Sequence, residues 1–162
     1  MKKLGKIRCE SNRSASENAR SILPRLVRRY FRYGRAVVRK KDSARNLHRL
    51  RLETKRCRYT LEIFAPVYGP SLAERIASLR RIQEYLGQVN DIESIEGFLH
   101  DGKSKPPGSV APLIGRLDKE SEKHARAFRQ YWETTFDAPG QLERWIAYLG
   151  RFAGGARAKK RA

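Results

Sequence analysis

Apolar residues recur three and four positions apart along almost the whole chain, and the alternating pattern typical of strands is missing. The pattern predicts an all-α fold. Four long helices joined by short turns favour an antiparallel four-helix bundle, with an additional short helix at the C-terminal end. The length of 162 residues suits a single domain.

The first predicted helix spans about residues 14–39, where Pro24 either bends it or marks its first turn. Its apolar stripe consists of Ala19, Ile22, Leu26, Tyr30, Tyr33 and Val37. The second helix begins after an N-cap at Asp42 or Ser43 and continues to Ala65, where Pro66 ends it. These two helices contain most of the unusual charge.

A third helix is capped by Ser71 and ends near His100. Its predicted core side consists of Ile76, Leu79, Ile82, Leu86 and Val89. The segment 101–109 is rich in Gly and Pro and predicts a loop, and a fourth helix follows over about residues 110–136.

The last predicted helix carries a stripe of large apolar residues, Leu142, Trp145, Leu149 and Phe152. This stripe either closes the core of the bundle or contacts a second copy of the chain. We therefore divide the chain into a basic arm (residues 1–13), a helical domain (14–152) and a disordered basic tail (153–162).

Positive charge is concentrated in the first part of the chain. The formal net charge is +19, and residues 1–60 contain 20 basic and 4 acidic side chains, against 16 and 13 in the remaining 102 residues. Like charges that lie close together repel one another and destabilise a compact state. The uneven distribution therefore indicates a polyanionic partner.

Arginines form a row along the first helix. The segment from Asn18 to Lys41 contains nine basic residues and no acid, so the i,i+4 ion pairs that usually offset such repulsion are missing. Five of the arginines share an arc of about 80° beside the apolar stripe: Arg25, Arg28, Arg32, Arg35 and Arg39. We predict that this row, and its first four members in particular, contacts an anionic ligand.

The second helix carries a similar row of four basic residues, His48, Arg51, Lys55 and Arg58. They share an arc of about 80° and follow one another at about 5 Å along the axis, a pitch that suits an extended chain of charges. Arginine donates two hydrogen bonds to phosphate oxygens, and lysine adds a point charge. Tyr59 lies near this row and could donate its hydroxyl, whereas His48 is either a ligand contact or an ordinary structural group.

Other classes of function have little support. Cys9 and Cys57 are too few for a disulfide framework, no metal-ligand spacing is present, and neither a phosphate-binding loop nor a cluster of acids lies on the basic helices. We predict no cofactor, no metal site and no catalysis. With neither a secretory signal nor a membrane span, a cytoplasmic protein is expected. Nucleic-acid binding is the alternative, although no known nucleic-acid-binding motif is present.

Two motifs in this order resemble the CHAD family, the conserved-histidine α-helical domain. They are H-x-x-R-x-x-x-K-R-x-R-Y at residues 48–59 and L-R-x-x-Q-x-x-L-G-x-x-N-D at residues 79–91. The resemblance covers about residues 14–136. It implies a helical domain that binds inorganic polyphosphate along a basic, histidine-bearing surface without catalysis, and an association with polyphosphate granules.

The residues that match the first motif are His48, Arg51, Lys55, Arg56 and Arg58, and those that match the second are Arg80, Gln83, Gly87, Asn90 and Asp91. The resemblance implies that Arg80 lines the ligand surface and that Gly87 permits close helix packing. Asp91 either orients an arginine or forms an ordinary salt bridge.

The chain departs from the family in its length. Members of the family commonly carry two copies of the four-helix unit, with the anion path between them, whereas this chain has one copy of each motif. A homodimer could rebuild the second wall of that path by symmetry.

Overall fold

The computed structural model describes residues 8–40, 44–100 and 110–151. Within these ranges all regular structure is helical, which confirms the all-α prediction. The elements are α1 (Ala15–Arg39), α2 (Ala44–Ile63), α3 (Ala65–Tyr68), α4 (Ser71–His100), α5 (Ala111–Tyr131), a π turn (Trp132–Phe136) and α6 (Gln141–Arg151).

The start of α1 is set by Ser14. Its hydroxyl accepts a hydrogen bond from the backbone N–H of Glu17, while the Glu17 side chain accepts one from the backbone N–H of Ser14. This capping box satisfies two N–H groups that would otherwise lack a partner at the helix end. Pro24 lies inside the helix, so the alternative that it marks the first turn is wrong.

Two helix boundaries differ from the prediction. The second helix ends at Ile63, and Pro66 lies in the first turn of α3, where its missing N–H has no helical partner to lose. The predicted fourth helix is divided into α5 and the π turn. The predicted N-cap (Asp42 or Ser43), the loop (101–109), Phe152 and the tail (153–162) lie outside the described residues.

The long helices pack in chain order, and α6 packs back on α1. The helix α2 packs against α4, α4 against α5, and α1 against both α2 and α6. The buried side of α4 consists of the predicted residues together with Leu72. The antiparallel four-helix bundle as such stays a prediction.

Two sides of α1 are buried, rather than the single stripe predicted. Toward α2, the hydroxyl of Thr54 donates to the carbonyl of Leu50, so the hydroxyl of Tyr30 is the donor in its 2.9 Å bond to Thr54. Toward the π turn and α6, the ring of Phe31 stacks on Phe136. The second side adds residues that the stripe did not include, Leu23, Val27, Phe31 and Val38, whereas Ile22 and Tyr33 are only half-buried.

The apolar stripe of α6 closes the core of this same chain. The Trp145 ring contacts Phe31 and Phe136, Leu149 is fully buried, and the Tyr68 hydroxyl donates to the backbone carbonyl of Leu149. Trp145 and Leu149 are therefore covered within the chain, whereas contact of this stripe with a second copy stays a prediction.

An ion pair fixes α1 to the end of the π turn. Arg35 donates from two nitrogen atoms to the two carboxylate oxygens of Asp137, at 2.7 Å each. The Asp137 side chain is 9% exposed. The hydrogen bond to Asp137 raises the pKa of Arg35 above its ordinary value, so the guanidinium stays charged. This arginine, predicted as a ligand contact, thus has a structural partner.

We expect Asp137→Ala to lower the free energy of unfolding by about 1 to 2 kcal/mol, because it removes a two-bond pair whose carboxylate is buried. The measurement is urea unfolding followed by circular dichroism. The control is Asp118→Ala, which removes an exposed carboxylate of α5 and should change the free energy by less than about 0.5 kcal/mol. Equal effects of the two variants would contradict a structural role for the pair.

Candidate functional site

The row on α2 borders α4. His48 is exposed, and Arg51, Lys55 and Arg58 are half-buried. The row contacts α4 at three positions along the axis of α2. At each position the residue of α4 belongs to the second motif. We call the surface between the two helices, from His48 to Arg80, the α2–α4 groove.

At one end of the α2–α4 groove, the two motifs are joined by a hydrogen bond between His48 and Asn90. The ring Nδ1 lies 2.5 Å from the amide oxygen of Asn90. Because that oxygen can only accept, Nδ1 carries the proton in this arrangement. The bond leaves Nε2 as the ring atom available to a ligand, so His48 has both a structural partner and a free ring nitrogen.

The middle of the groove is formed by Arg51 and Gly87. The Nε of Arg51 is buried and has no hydrogen-bond partner. A Cβ atom on Gly87 would lie 4.0 Å from this Nε, and no atom of another helix would be nearer. Gly87 therefore faces the Arg51 side chain rather than a closely packed backbone, which corrects the expectation that it permits close helix packing.

At the other end, Glu62 joins one arginine of each motif. Its Oε1 accepts from Arg58 at 2.6 Å and from Arg80 at 3.1 Å. The Arg58 guanidinium also lies 4.4 Å from the centre of the Tyr59 ring. Arg80 thus lies at the groove, its contact with a ligand stays a prediction, and a carboxylate that the sequence interpretation did not include lies between the two cations.

Acidic residues follow the histidine end of the groove. One carboxylate oxygen of Glu93 is buried without a hydrogen-bond partner, and Glu96 lies close enough to influence it. Burial raises the pKa of Glu93, the neighbouring Glu96 raises it further, and His48 lowers it. These carboxylates would repel an anion that extended past His48, so the row of cations has a defined end.

The row on α1 lies on a different face. Arg25, Arg28, Arg32 and Arg39 are exposed and project from the side of α1 opposite its buried residues. The side of α2 that approaches α1 carries Glu53 and Arg49, which both influence Tyr33. The α2 row lies on the other side, against α4, so the structure does not bring the two predicted rows together.

The structure also places three further residues of the two motifs. Arg56 is half-buried and lies about 100° around α2 from Lys55, away from the groove. Tyr59 is 50% exposed at the outer edge of the row. Asp91 is exposed, and no arginine among residues 8–40, 44–100 and 110–151 forms an ion pair with it; the acid that contacts arginines of both motifs is Glu62.

Neither cysteine contributes to the groove. Cys57 lies fully buried on the core side of α2, and burial raises the pKa of its thiol far above the ordinary value. Cys9 is exposed near the N-terminal end. The thiol of Cys57 therefore stays protonated and serves as an apolar core group.

The groove presents hydrogen-bond donors and positive charge over about 15 Å of α2, the length of ten residues between His48 and Arg58. In the part of the chain that the structure describes, no three metal-binding side chains gather in one place. The described helices also contain no stretch with the length and apolarity of a membrane span. The arrangement is chemically suited to hold an extended anion.

In the comparison with known protein families, residues 2–100 match the CHAD domain. No curated protein and no solved structure matches the chain. The match includes both motifs and ends with α4, whereas the resemblance in the sequence extended to residue 136. Because it covers more than half of the chain, and because its two motifs meet in the α2–α4 groove, the protein belongs to the CHAD family.

Proposed function

We propose that this protein binds inorganic polyphosphate along the α2–α4 groove without catalysing a reaction of it. The CHAD domain is associated with polyphosphate binding. The observation that carries the proposal is the meeting of the two motifs: His48 bonds Asn90, Arg51 lies over Gly87, and Arg58 and Arg80 share one carboxylate.

The spacing of the donors favours a chain of phosphates over a compact anion. Successive basic residues of α2 follow at about 5 Å, and each arginine can donate two hydrogen bonds to one phosphate unit. A flexible polyanion that spans the row also releases counterions at every contact, so its affinity should fall steeply with salt.

The carboxylates near the groove support binding rather than catalysis. Glu62 is held by two arginines, and Glu93 and Glu96 lie beyond the histidine end. None of them stands among the cations as a free base that could orient an attacking water. We therefore expect polyphosphate to leave the protein with its chain length unchanged.

Nucleic acid is the second candidate ligand. The exposed row on α1 favours it, because four arginines on an outward face can contact a phosphate backbone without a groove.

Two further expectations belong to the proposal of polyphosphate binding. One is a homodimer that supplies a second wall of the anion path, and the other is a cytoplasmic location at polyphosphate granules.

Competition distinguishes the two ligands. We expect long-chain polyphosphate to displace a bound fluorescent single-stranded oligonucleotide. At the same phosphate concentration, unlabelled DNA or RNA should not displace bound polyphosphate. The measurement is fluorescence anisotropy at about 150 mM salt, where weak electrostatic contacts are screened. Displacement of polyphosphate by DNA or RNA at equal phosphate concentration would contradict the proposed function.

A further inference from the structure

Glu62 occupies the position that an anion would take at the Arg80 end of the groove. One oxygen, Oε1, accepts from a guanidinium of the first motif at 2.6 Å and from a guanidinium of the second motif at 3.1 Å. Short contacts of this kind to two cations from different helices are typical of a bound phosphate oxygen.

The three side chains differ in how firmly they are held. Side-chain exposure is 16% for Arg58, 30% for Glu62 and 60% for Arg80. Arg58 is restricted by its stacking on Tyr59, and its Nε is buried without a partner. The carboxylate is more exposed than Arg58 and can turn outward into water, so a competing anion can replace it without a change in the backbone.

We propose that Glu62 is an internal competitor that occupies the Arg58–Arg80 end of the groove until a multivalent anion displaces it. This inference rests on the proposed function and specifies how the site selects its ligand. A single phosphate ion can contact only Arg58 and Arg80 at this end, and there it must compete with the Glu62 carboxylate for the same two guanidinium groups. A chain also gains contacts at Arg51 and Lys55, which adds the affinity needed to displace Glu62.

The test substitution is Glu62→Gln, which keeps the size of the side chain and removes its charge. We expect inorganic tripolyphosphate to bind about fivefold tighter, the gain that corresponds to one weakened surface ion pair. Orthophosphate should also compete with tripolyphosphate at a lower concentration than in the wild type. Isothermal titration calorimetry at fixed salt measures both effects.

Glu122→Gln is the matched control. Glu122 also lies between two arginines, Arg126 and Arg129, each at 3.7 Å, but on α5. This substitution makes the same change of net charge outside the groove, so we expect no change in tripolyphosphate affinity. An equal gain in both variants would show that only net charge matters and would overturn the inference.

A second variant excludes an effect of net charge or of misfolding. Glu62→Asp keeps the charge but shortens the side chain by one methylene, which weakens its hold on both guanidinium groups, so a smaller gain in affinity is expected. Unchanged or weaker tripolyphosphate binding in both Glu62 variants, with wild-type helicity by circular dichroism, would overturn the inference and make Glu62 a positioning residue.

The inference and the proposed function fail in different experiments. The proposed function fails when the wild type does not bind long-chain polyphosphate. The inference fails when Glu62→Gln binds tripolyphosphate no tighter than the wild type does, whatever the affinity of the wild type for long-chain polyphosphate.

Discussion

Simultaneous replacement of Arg51, Lys55 and Arg58 by alanine is expected to weaken polyphosphate binding by about 100-fold. Each of the three makes a charge-assisted contact with the ligand. The losses of about 1 kcal/mol per contact add, and their sum corresponds to this factor in affinity. The slope of log affinity against log salt should also fall by about 2, because fewer counterions are released.

The same triple variant should keep its helical content. Alanine is the strongest helix former, and the core side of α2, which includes Leu50, Thr54 and Leu61, is unchanged. The buried Nε of Arg51 has no hydrogen-bond partner to lose. Arg58 leaves Glu62, but that carboxylate still accepts from Arg80.

A triple variant of α1 provides the control for charge. Replacement of Arg25, Arg28 and Arg32 by alanine removes the same three charges from an outward face. We expect it to weaken polyphosphate binding by less than about tenfold, through the loss of long-range attraction. Equal losses in the two triple variants, measured by titration with long-chain polyphosphate, would show that binding depends on net charge and not on the α2–α4 groove.

The periodicity of apolar residues was sufficient to predict the long helices and the core face of α4. It was also sufficient to place His48, Arg51, Lys55 and Arg58 on one side of α2, because helical spacing is a local property. The partners of this row are not local: Asn90 is 42 residues from His48, and Arg80 is 18 residues from Glu62. The packing of α2 against α4 determines which residues become the partners of this row.

Glu62 and the α1 row illustrate the limits of a pattern confined to one helix. Arg58 and Glu62 have the i,i+4 spacing of an ion pair, a signal that the sequence does contain, but the second contact with Arg80 requires the tertiary fold. The helical spacing along α1 identified which face carries the arginines. It did not show whether that face points toward α2 or toward solvent. The partner of Arg35, Asp137, is 102 residues away and follows a π turn that no periodicity predicted.

The π turn and α6 explain why α1 buries more than the predicted stripe. They cover a second side of α1 with the rings of Trp132, Phe136 and Trp145. Phe31 and Val38 are therefore core residues, although they lie outside the arc expected for one contact surface. A helix that packs on two partners has a broader apolar face than a helix on the edge of a bundle.

The substitution Gly34→Ala is expected to destabilise the fold strongly. Gly34 is buried in α1, and the indole ring of Trp132 occupies the space into which its Cβ atom would project. Trp132 is 1% exposed and contacts Tyr30, Phe31, Phe128 and Phe136, so it has little room to move. We expect a loss of about 3 kcal/mol and a melting temperature lower by roughly 10 °C.

The control for Gly34→Ala is Gly87→Ala, another glycine inside a long helix. At Gly87 the nearest atom to an added Cβ is Arg51 Nε at 4.0 Å, an ordinary contact distance. Alanine in a helix interior stabilises by about 0.5 to 1 kcal/mol relative to glycine, so Gly87→Ala should raise the melting temperature slightly. Thermal unfolding of both variants by calorimetry separates steric overlap at Trp132 from a general effect of helix propensity, and a stabilised Gly34→Ala variant would contradict the close approach of α1 to the π turn.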